Sequence, residues 1–296
     1  MNAGSPFRVD RRAVARAFGR AAPHYDAGAL LQTTVRQELL ARLQFFALAP
    51  RVILDLGSGT ARAAQVLRTR YRAAQVLAMD LAPGMLRAAR RPWWPWPRVM
   101  RVCADARAMP LAAHSVDLVF SNLMLQWCDD PGVVFAELRR VLRPGGLLLF
   151  STFGPETLHE LRTAWAQVDE APHVSAFADM PLLGSALMSA GLCEPVMDRD
   201  VHVLHYPSVA ALMRGLRTIG AGNAAQDRRR TLTGAHRLRR MSEHYERQRT
   251  ADGIPGSWEV IYGSAFAPAD GDRLGRRQGS GEVLLPATVP TRRLPQ

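Results

Sequence analysis

The chain predicts a doubly wound α/β fold: a seven-stranded, mostly parallel sheet preceded by helices and interrupted by two helical insertions. Three observations carry this. The run Arg51-Val-Ile-Leu-Asp-Leu-Gly57-Ser-Gly59-Thr-Ala61 reads as a buried strand entering a glycine turn. Two further apolar runs, from Gln75 and from Val99, close on Asp80 and Asp105. Five such runs then alternate with helical patterns, the order expected of a parallel sheet.

Along the chain, residues 10–22 and 27–47 read as two helices, the second with Leu30, Leu31, Val35, Leu39, Leu40, Leu43 and Phe46 at helical spacing. Strands follow at about 51–56, 75–80, 99–103, 117–122 and 145–152, with helical segments between the first four. Asp129-Asp130-Pro131 opens another helix, with proline in its first turn, and Leu142-Arg-Pro-Gly-Gly146 ends it. β-rich runs near 195–205 and 258–263 complete the sheet. Pro92-Trp93-Trp94-Pro95-Trp96-Pro97 cannot be helical and reads as a loop. The resulting division is an N-terminal helical lid over 1–50, a core over 51–152, a first insertion returning to the sheet over 153–206, an arginine-rich helical insertion over 207–257, and a last strand with an irregular tail over 258–296.

An open α/β sheet binds nucleotides outside the carboxyl ends of its strands. Asp55, Asp80 and Asp105 stand at three such ends and are placed to ring one adenosine. A dinucleotide site needs a small residue three positions after its second glycine. Here that position is Arg62, and no Gly-Lys-Ser/Thr is present to form a P-loop.

Composition bounds the rest. The net charge is +12 and all 38 basic residues are arginine. Residues 212–249 carry ten arginines against three acids, whereas 51–211 with 250–266 are close to neutral. A local basic face of this kind fits an acidic protein partner, and no nucleic-acid role is expected. No run reaches the ~18–20 apolar residues of a membrane span. The N-terminus has Arg11, Arg12, Arg16 and Arg20 but no apolar stretch behind them, so no secretory signal is expected. Cys103, Cys128 and Cys193 are odd in number and have no metal spacing. A cytoplasmic, metal-free chain is the expectation.

The glycine turn resembles the first motif of class I S-adenosylmethionine-dependent methyltransferases, a Rossmann-like fold, with Ala61 where a third glycine is usual. That resemblance implies S-adenosyl-L-methionine as cofactor, held by Asp55, Gly57, Gly59, Asp80 and Leu81, Asp105 and Ala106, and Asn122 and Gln126. Asp80 would take both ribose hydroxyls, Asp105 the adenine amino group, and the Ala106 amide the ring. Four longer stretches resemble the malonyl-[acyl-carrier protein] O-methyltransferases of the biotin pathway. They are Phe18-Gly-Arg-Ala-Ala-Pro-His-Tyr25-Asp26, Phe150–Arg162, Leu216-Arg-Thr-Ile-Gly-Ala-Gly-Asn223 and Trp258-Glu-Val-Ile-Tyr-Gly263. Gly222 stands where that family has histidine.

The family resemblance implies methyl transfer to the free carboxylate of a malonyl thioester on acyl-carrier protein. Tyr25 is then the lid residue and Arg217 the residue that holds the acyl group, with Arg214 second and His159 as a candidate to orient the substrate. An acidic carrier would dock on Arg228, Arg229, Arg230, Arg237, Arg239 and Arg240. Three other readings compete: an arginine hydroxylase like the respiratory complex I assembly factor, a methyltransferase for a quinone precursor or other small acid, and a scaffold without activity. The intact acids oppose the last, and the two insertions oppose the small-molecule reading.

Overall fold

The computed structural model describes residues 8–89, 99–226, 228, 231 and 233–269. Its seven strands are β1 (Val52–Leu56), β2 (Gln75–Asp80), β3 (Val99–Cys103), β4 (Val116–Asn122), β5 (Leu142–Phe153), β6 (Cys193–Tyr206) and β7 (Ile254–Phe266). They form one sheet in the order β3-β2-β1-β4-β5-β7-β6, so the chain reverses direction across the sheet between β1 and β4. β1 to β5 pair in parallel, and β7 runs antiparallel to both β5 and β6. β1 lies centrally, and Ile53, Leu54 and Leu56 are buried because both faces of a parallel sheet are covered.

The helices are α1 (Arg11–Ala21), α2 (Tyr25–Gly28), α3 (Leu30–Arg42), α4 (Arg62–Arg70), α5 (Pro83–Ala88), α6 (Pro131–Val141), α7 (His159–Ala166), α8 (Met180–Ser189), α9 (Val209–Thr218) and α10 (Ala235–Glu246). α1 begins where Asp10 accepts from the Ala13 N–H at 3.0 Å, an ordinary N-cap. α6 begins on Asp130, which accepts from Gly132, with Pro131 supplying a ready φ at the first position. One face of the sheet packs under α3, α4, α9 and α10, around Leu39, Leu67, Leu212 and Tyr245. The other packs under α6 and α8, around Phe135, Leu138, Leu183 and Leu187.

Three expectations are corrected. The helix expected over 27–47 is two helices and a short 3-10 turn, because the chain bends at Ala29 (φ −91°, ψ 47°). No helix joins β3 to β4. The Met109 N–H donates to Glu137 at 2.7 Å and Arg140 donates to the carbonyls of Met109 and Leu111, so α6 side chains satisfy this loop. β7 is much longer than expected because it pairs along its length with β6, from Ile254 opposite Tyr206 to Phe266 opposite Cys193. The tryptophan-proline stretch, Arg229, Arg230 and the chain from 270 onward lie outside the described residues.

The stretch after β5 is tied to β7. The Glu259 carboxylate accepts from the Glu156 N–H at 2.8 Å, and Thr157 donates to the Glu259 carbonyl at 3.0 Å. A Cβ at Gly154 would lie 2.5 Å from the Glu259 carboxyl carbon, so only glycine fits this crossing. Buried Glu160 in turn accepts from the Ser257 N–H at 3.1 Å. The Gly-Pro-Glu-Thr-Leu run is therefore an anchor that fixes where the first insertion leaves the sheet.

Candidate active site

Two cavities adjoin at the carboxyl ends of the strands, with Trp127 in the wall of both. The first is ringed by Gly57, Gly59, Asp80, Leu81, Asp105, Ala106, Asn122 and Tyr25. The glycine turn folds back so that the N–H groups of Gly57 and Ser58 both donate to the Met79 carbonyl, at 2.8 and 2.9 Å. Gly57 (φ 71°) and Gly59 (φ 54°) take left-handed backbone, which glycine adopts without steric cost. Ala61 does so as well, at φ 59°, which explains why a glycine is the usual residue there. At Gly57 a Cβ would lie 2.3 Å from Met124 Cγ, whereas beside Gly59 the space is open.

Asp80 is positioned by the backbone on either side of it. One oxygen accepts from the Gly59 N–H and the other from the Ala82 N–H, both at 2.8 Å. Burial raises the carboxyl above its usual range, and those two N–H groups work against the rise. A carboxylate has about four acceptor positions, so two remain to face the cavity. A pair of vicinal hydroxyls fits them. The site therefore fits a nucleoside cofactor: an acceptor at one strand end, an open glycine cradle at the next, and apolar Leu81, Met79 and Met85 between.

Asp105 is more heavily engaged than expected. It accepts from Arg11 at 2.6 Å, and from the Arg107 backbone at 3.0 Å and guanidinium at 3.1 and 3.2 Å. Arg11 comes from α1, which thereby reaches across the cavity mouth. Its neighbours Val14 and Phe18 line the same cavity, and Phe18 meets Trp127 edge-on at 5.2 Å. Nothing in the sequence linked Arg11 to Asp105, 94 positions away.

Two expected residues do not line this cavity. The Asp55 side chain turns into the fold, where it accepts from the Ala64 N–H at 2.8 Å and holds the start of α4. Burial pushes its carboxyl up to about 7, with the Ala64 N–H opposing. The Gln126 amide is occupied by the Leu123 carbonyl at 2.7 Å and by the Thr152 hydroxyl at 3.2 Å. Asn122 does line the cavity while tying β4 to α3, donating to the Gln32 carbonyl at 3.1 Å.

Tyr25 lines the cavity from α2, and burial raises its hydroxyl pKa, with Asp80 and Asp26 adding to the rise. Its neighbour Asp26 accepts from Thr60 at 2.6 Å and from Arg62 at 2.8 and 2.6 Å. Burial would raise the Asp26 carboxyl, but these donors hold it below the usual range. The Tyr-Asp pair is thus clamped onto the glycine turn. Arg62, too large for a dinucleotide fingerprint, serves as half of this clamp.

The second cavity, about 1000 Å³, opens between α1, the first insertion and α9. Arg217 and Arg214 line it, together with Arg20, a residue that sequence reasoning did not single out. None of the three has a carboxylate partner among the described residues. Arg228 also borders it but donates to the Ala225 carbonyl at 2.7 Å and pairs with Asp10 at 3.3 Å, which ties the second insertion to the start of α1. His159 is exposed and does not line it. Along the rim lies α10, whose Leu238 lines the cavity while Arg239 and Arg240 face outward. Arg237 stands 3.9 Å from Asp169.

Comparison with known proteins agrees with this geometry. A family model described as a methyltransferase domain matches residues 54–150. A malonyl-[acyl-carrier protein] O-methyltransferase of Xylella fastidiosa is 48% identical over 284 residues, covering 95% of each chain. One of the same name from Gallionella capsiferriformans is 45% identical over 269 residues, covering 89% of this chain and 93% of its own. Among solved structures, the YcgJ protein of Bacillus subtilis superimposes with a TM-score of 0.55 over 78% of this chain and 98% of its own, at 15% identity, a likeness of fold.

Proposed function

The chain belongs to the malonyl-[acyl-carrier protein] O-methyltransferase family, and we propose that it carries out that reaction, placing a methyl group on the free carboxylate of a malonyl thioester borne by acyl-carrier protein. In the biotin pathway such an ester masks the charge, so that fatty-acid enzymes extend the chain. The observation that carries the reading is the pairing of a cavity whose polar groups fit a nucleoside with a large cavity lined by Arg20, Arg214 and Arg217, the two meeting at Trp127. An acceptor with a carboxylate suits the second cavity, since a guanidinium binds carboxylate in bidentate fashion.

S-adenosyl-L-methionine supplies an electrophilic methyl on a sulfonium sulfur. What the chain must do is bind, align and exclude water. Asp80 accepts from the ribose hydroxyls, and the Gly57–Gly59 turn lets the backbone approach without a side chain. Leu81 and Ala106 would hold the adenine end, and the Asp105 carboxylate would reach its amino group only by sharing an acceptor position with Arg11 or Arg107. Tyr25, clamped through Asp26, would close the cavity over the bound cofactor. Arg217, with Arg214 and Arg20 near it, holds the malonyl carboxylate. A carboxylate with a reference pKa of about 4 is already ionised at neutral pH, so no general base is required. Alignment of the reacting atoms at roughly 3–3.5 Å in a dry site is the main demand.

The carrier protein docks, in this reading, on α10 at the cavity rim. Arg237, Arg239 and Arg240 lie on that helix, and Arg228 has the separate task of holding the insertion to α1. Transfer of labelled methyl to malonyl-carrier protein, read by intact mass, tests the function. Acetyl-carrier protein, which lacks the free carboxylate, should remain unlabelled. Label on a protein arginine or on a quinone ring, with none on the malonyl thioester, would overturn the assignment.

A further inference from the structure

In the wall of the larger cavity one histidine is held by both a ring and a carboxylate. His173 lies flat on Trp165, ring centroids 3.6 Å apart and planes 6° from parallel. Its Nε2 donates to Asp169 Oδ1 at 2.7 Å, and both side chains are largely buried, at 13% and 16% exposure. The preceding residue is pinned as well, because Asn223 donates to the Pro172 carbonyl at 2.6 Å. Trp165, His173 and Asn223 all line the cavity. The ring therefore has a fixed position and a fixed tautomer.

That tautomer decides what the ring offers. A carboxylate can only accept, so Nε2 carries a proton, and Nδ1 is the position at which a neutral ring offers a lone pair. Nδ1 has no hydrogen-bond partner among the described residues, and it is not among the fully buried orphan atoms. The arginines of this cavity suit the acyl carboxylate. A lone pair at Nδ1 suits an amide N–H instead.

Resting on the function proposed above, we infer that His173 is the group that binds the pantetheine arm of the acceptor, its Nδ1 accepting from one of that arm's amide N–H groups. Asp169 is then a positioning residue, which fixes the tautomer, and Trp165 supplies the platform. The arm is common to carrier-protein and coenzyme A thioesters, so this contact serves both, whereas the α10 arginines serve only the carrier protein.

The test compares thioesters with and without amides. His173→Phe keeps a flat ring on Trp165 and removes the acceptor. Against malonyl-coenzyme A its kcat/KM should fall about three- to tenfold, the worth of one neutral hydrogen bond, with the change in KM rather than kcat. Against malonyl methyl thioester, which has no amide, it should match the unaltered chain. His173→Gln, which restores an acceptor, should recover part of the loss. Equal losses on both thioesters, or no loss on either, would overturn the inference and leave His173 a packing residue. An unaltered chain that methylates no malonyl thioester would overturn the proposed function, and this inference with it.

Discussion

The two cavities are built on different plans. Around the cofactor cavity, the positioning groups of the carboxylate at the end of β2 are backbone N–H donors, so that Asp80 is fixed by Ala82 two residues on and by Gly59 of the adjoining glycine turn. Around the acceptor cavity, the positioning groups come from elements far apart in sequence: α1, the first insertion, α9 and α10. Three of its arginines, Arg20, Arg214 and Arg217, are exposed and without carboxylate partners among the described residues. The first plan gives a rigid site for a cofactor that does not vary. The second leaves charge free for a ligand that brings its own. Disturbing each half separately should therefore have separable consequences.

The largest effect should come from Gly57→Val. The new side chain would overlap Met124, and the backbone at φ 71° disfavours a β-branched residue. Cofactor binding should be lost to calorimetry, along with activity on every acceptor. Survival of micromolar binding would show that the turn relaxes, which contradicts a rigid first half. Asp80→Ala should be next. It removes charge-assisted hydrogen bonds worth about 1.5–3 kcal/mol each, so affinity for S-adenosylmethionine should fall at least tenfold while the fold survives.

On the acceptor side, Arg217→Ala should raise KM for malonyl-carrier protein and malonyl-coenzyme A alike, by roughly tenfold or more if the guanidinium pairs with the carboxylate. If Arg20 or Arg214 shares the load, the single change will fall short and the double change will not. Reversing Arg237, Arg239 and Arg240 to glutamate together should have a smaller effect, because an exposed pair is worth about 0–1 kcal/mol. KM for the carrier protein should rise, KM for the coenzyme A thioester should hold, and added salt should mimic the variant by screening over roughly 8–10 Å. An equal rise for both substrates would point to damage within the cavity.

The smallest effect concerns stability. Asp55 has its folded pKa raised to about 7 by burial, above an unfolded value of about 4. Its contribution is thus fully present below about pH 4 and lost as pH rises through about 7. Asp55→Asn should flatten the fall in stability over that window, measured by denaturant unfolding. An unchanged slope would mean that Asp55 titrates like an exposed acid.

The same contrast governs what could be read from the sequence. Gly57, Gly59 and Asp80 were legible because a strand, a turn and a strand end determine their geometry within a few residues. Asp55 sat in the same run, yet its side chain caps α4 from inside the fold, a choice between sheet faces that the motif does not encode. Arg11 and Trp127 were not legible as site residues, since their roles depend on α1 crossing the strand ends. The crossing rests on glycines: a Cβ at Gly84 would lie 2.8 Å from the Gly19 Cα, an approach no periodicity reveals. In the second half, Arg217 was visible as part of a motif on a helix, while Arg20 and the Asp169–His173 pair emerged only once distant segments met. The Gly-Pro-Glu-Thr-Leu run was visible only as part of a family motif, and its role in anchoring the insertion to β7 depends on contacts with Glu259, about a hundred positions away.

The separation of the two halves is the central claim, and crossed calorimetric titration tests it most directly. Asp80→Ala and Arg217→Ala are each titrated with S-adenosylmethionine and with malonyl-carrier protein. The account predicts that Asp80→Ala loses affinity for the cofactor and keeps the carrier protein, while Arg217→Ala keeps the cofactor and loses the malonyl-dependent part of carrier binding. Loss of both ligands by both variants, with the fold intact, would contradict it.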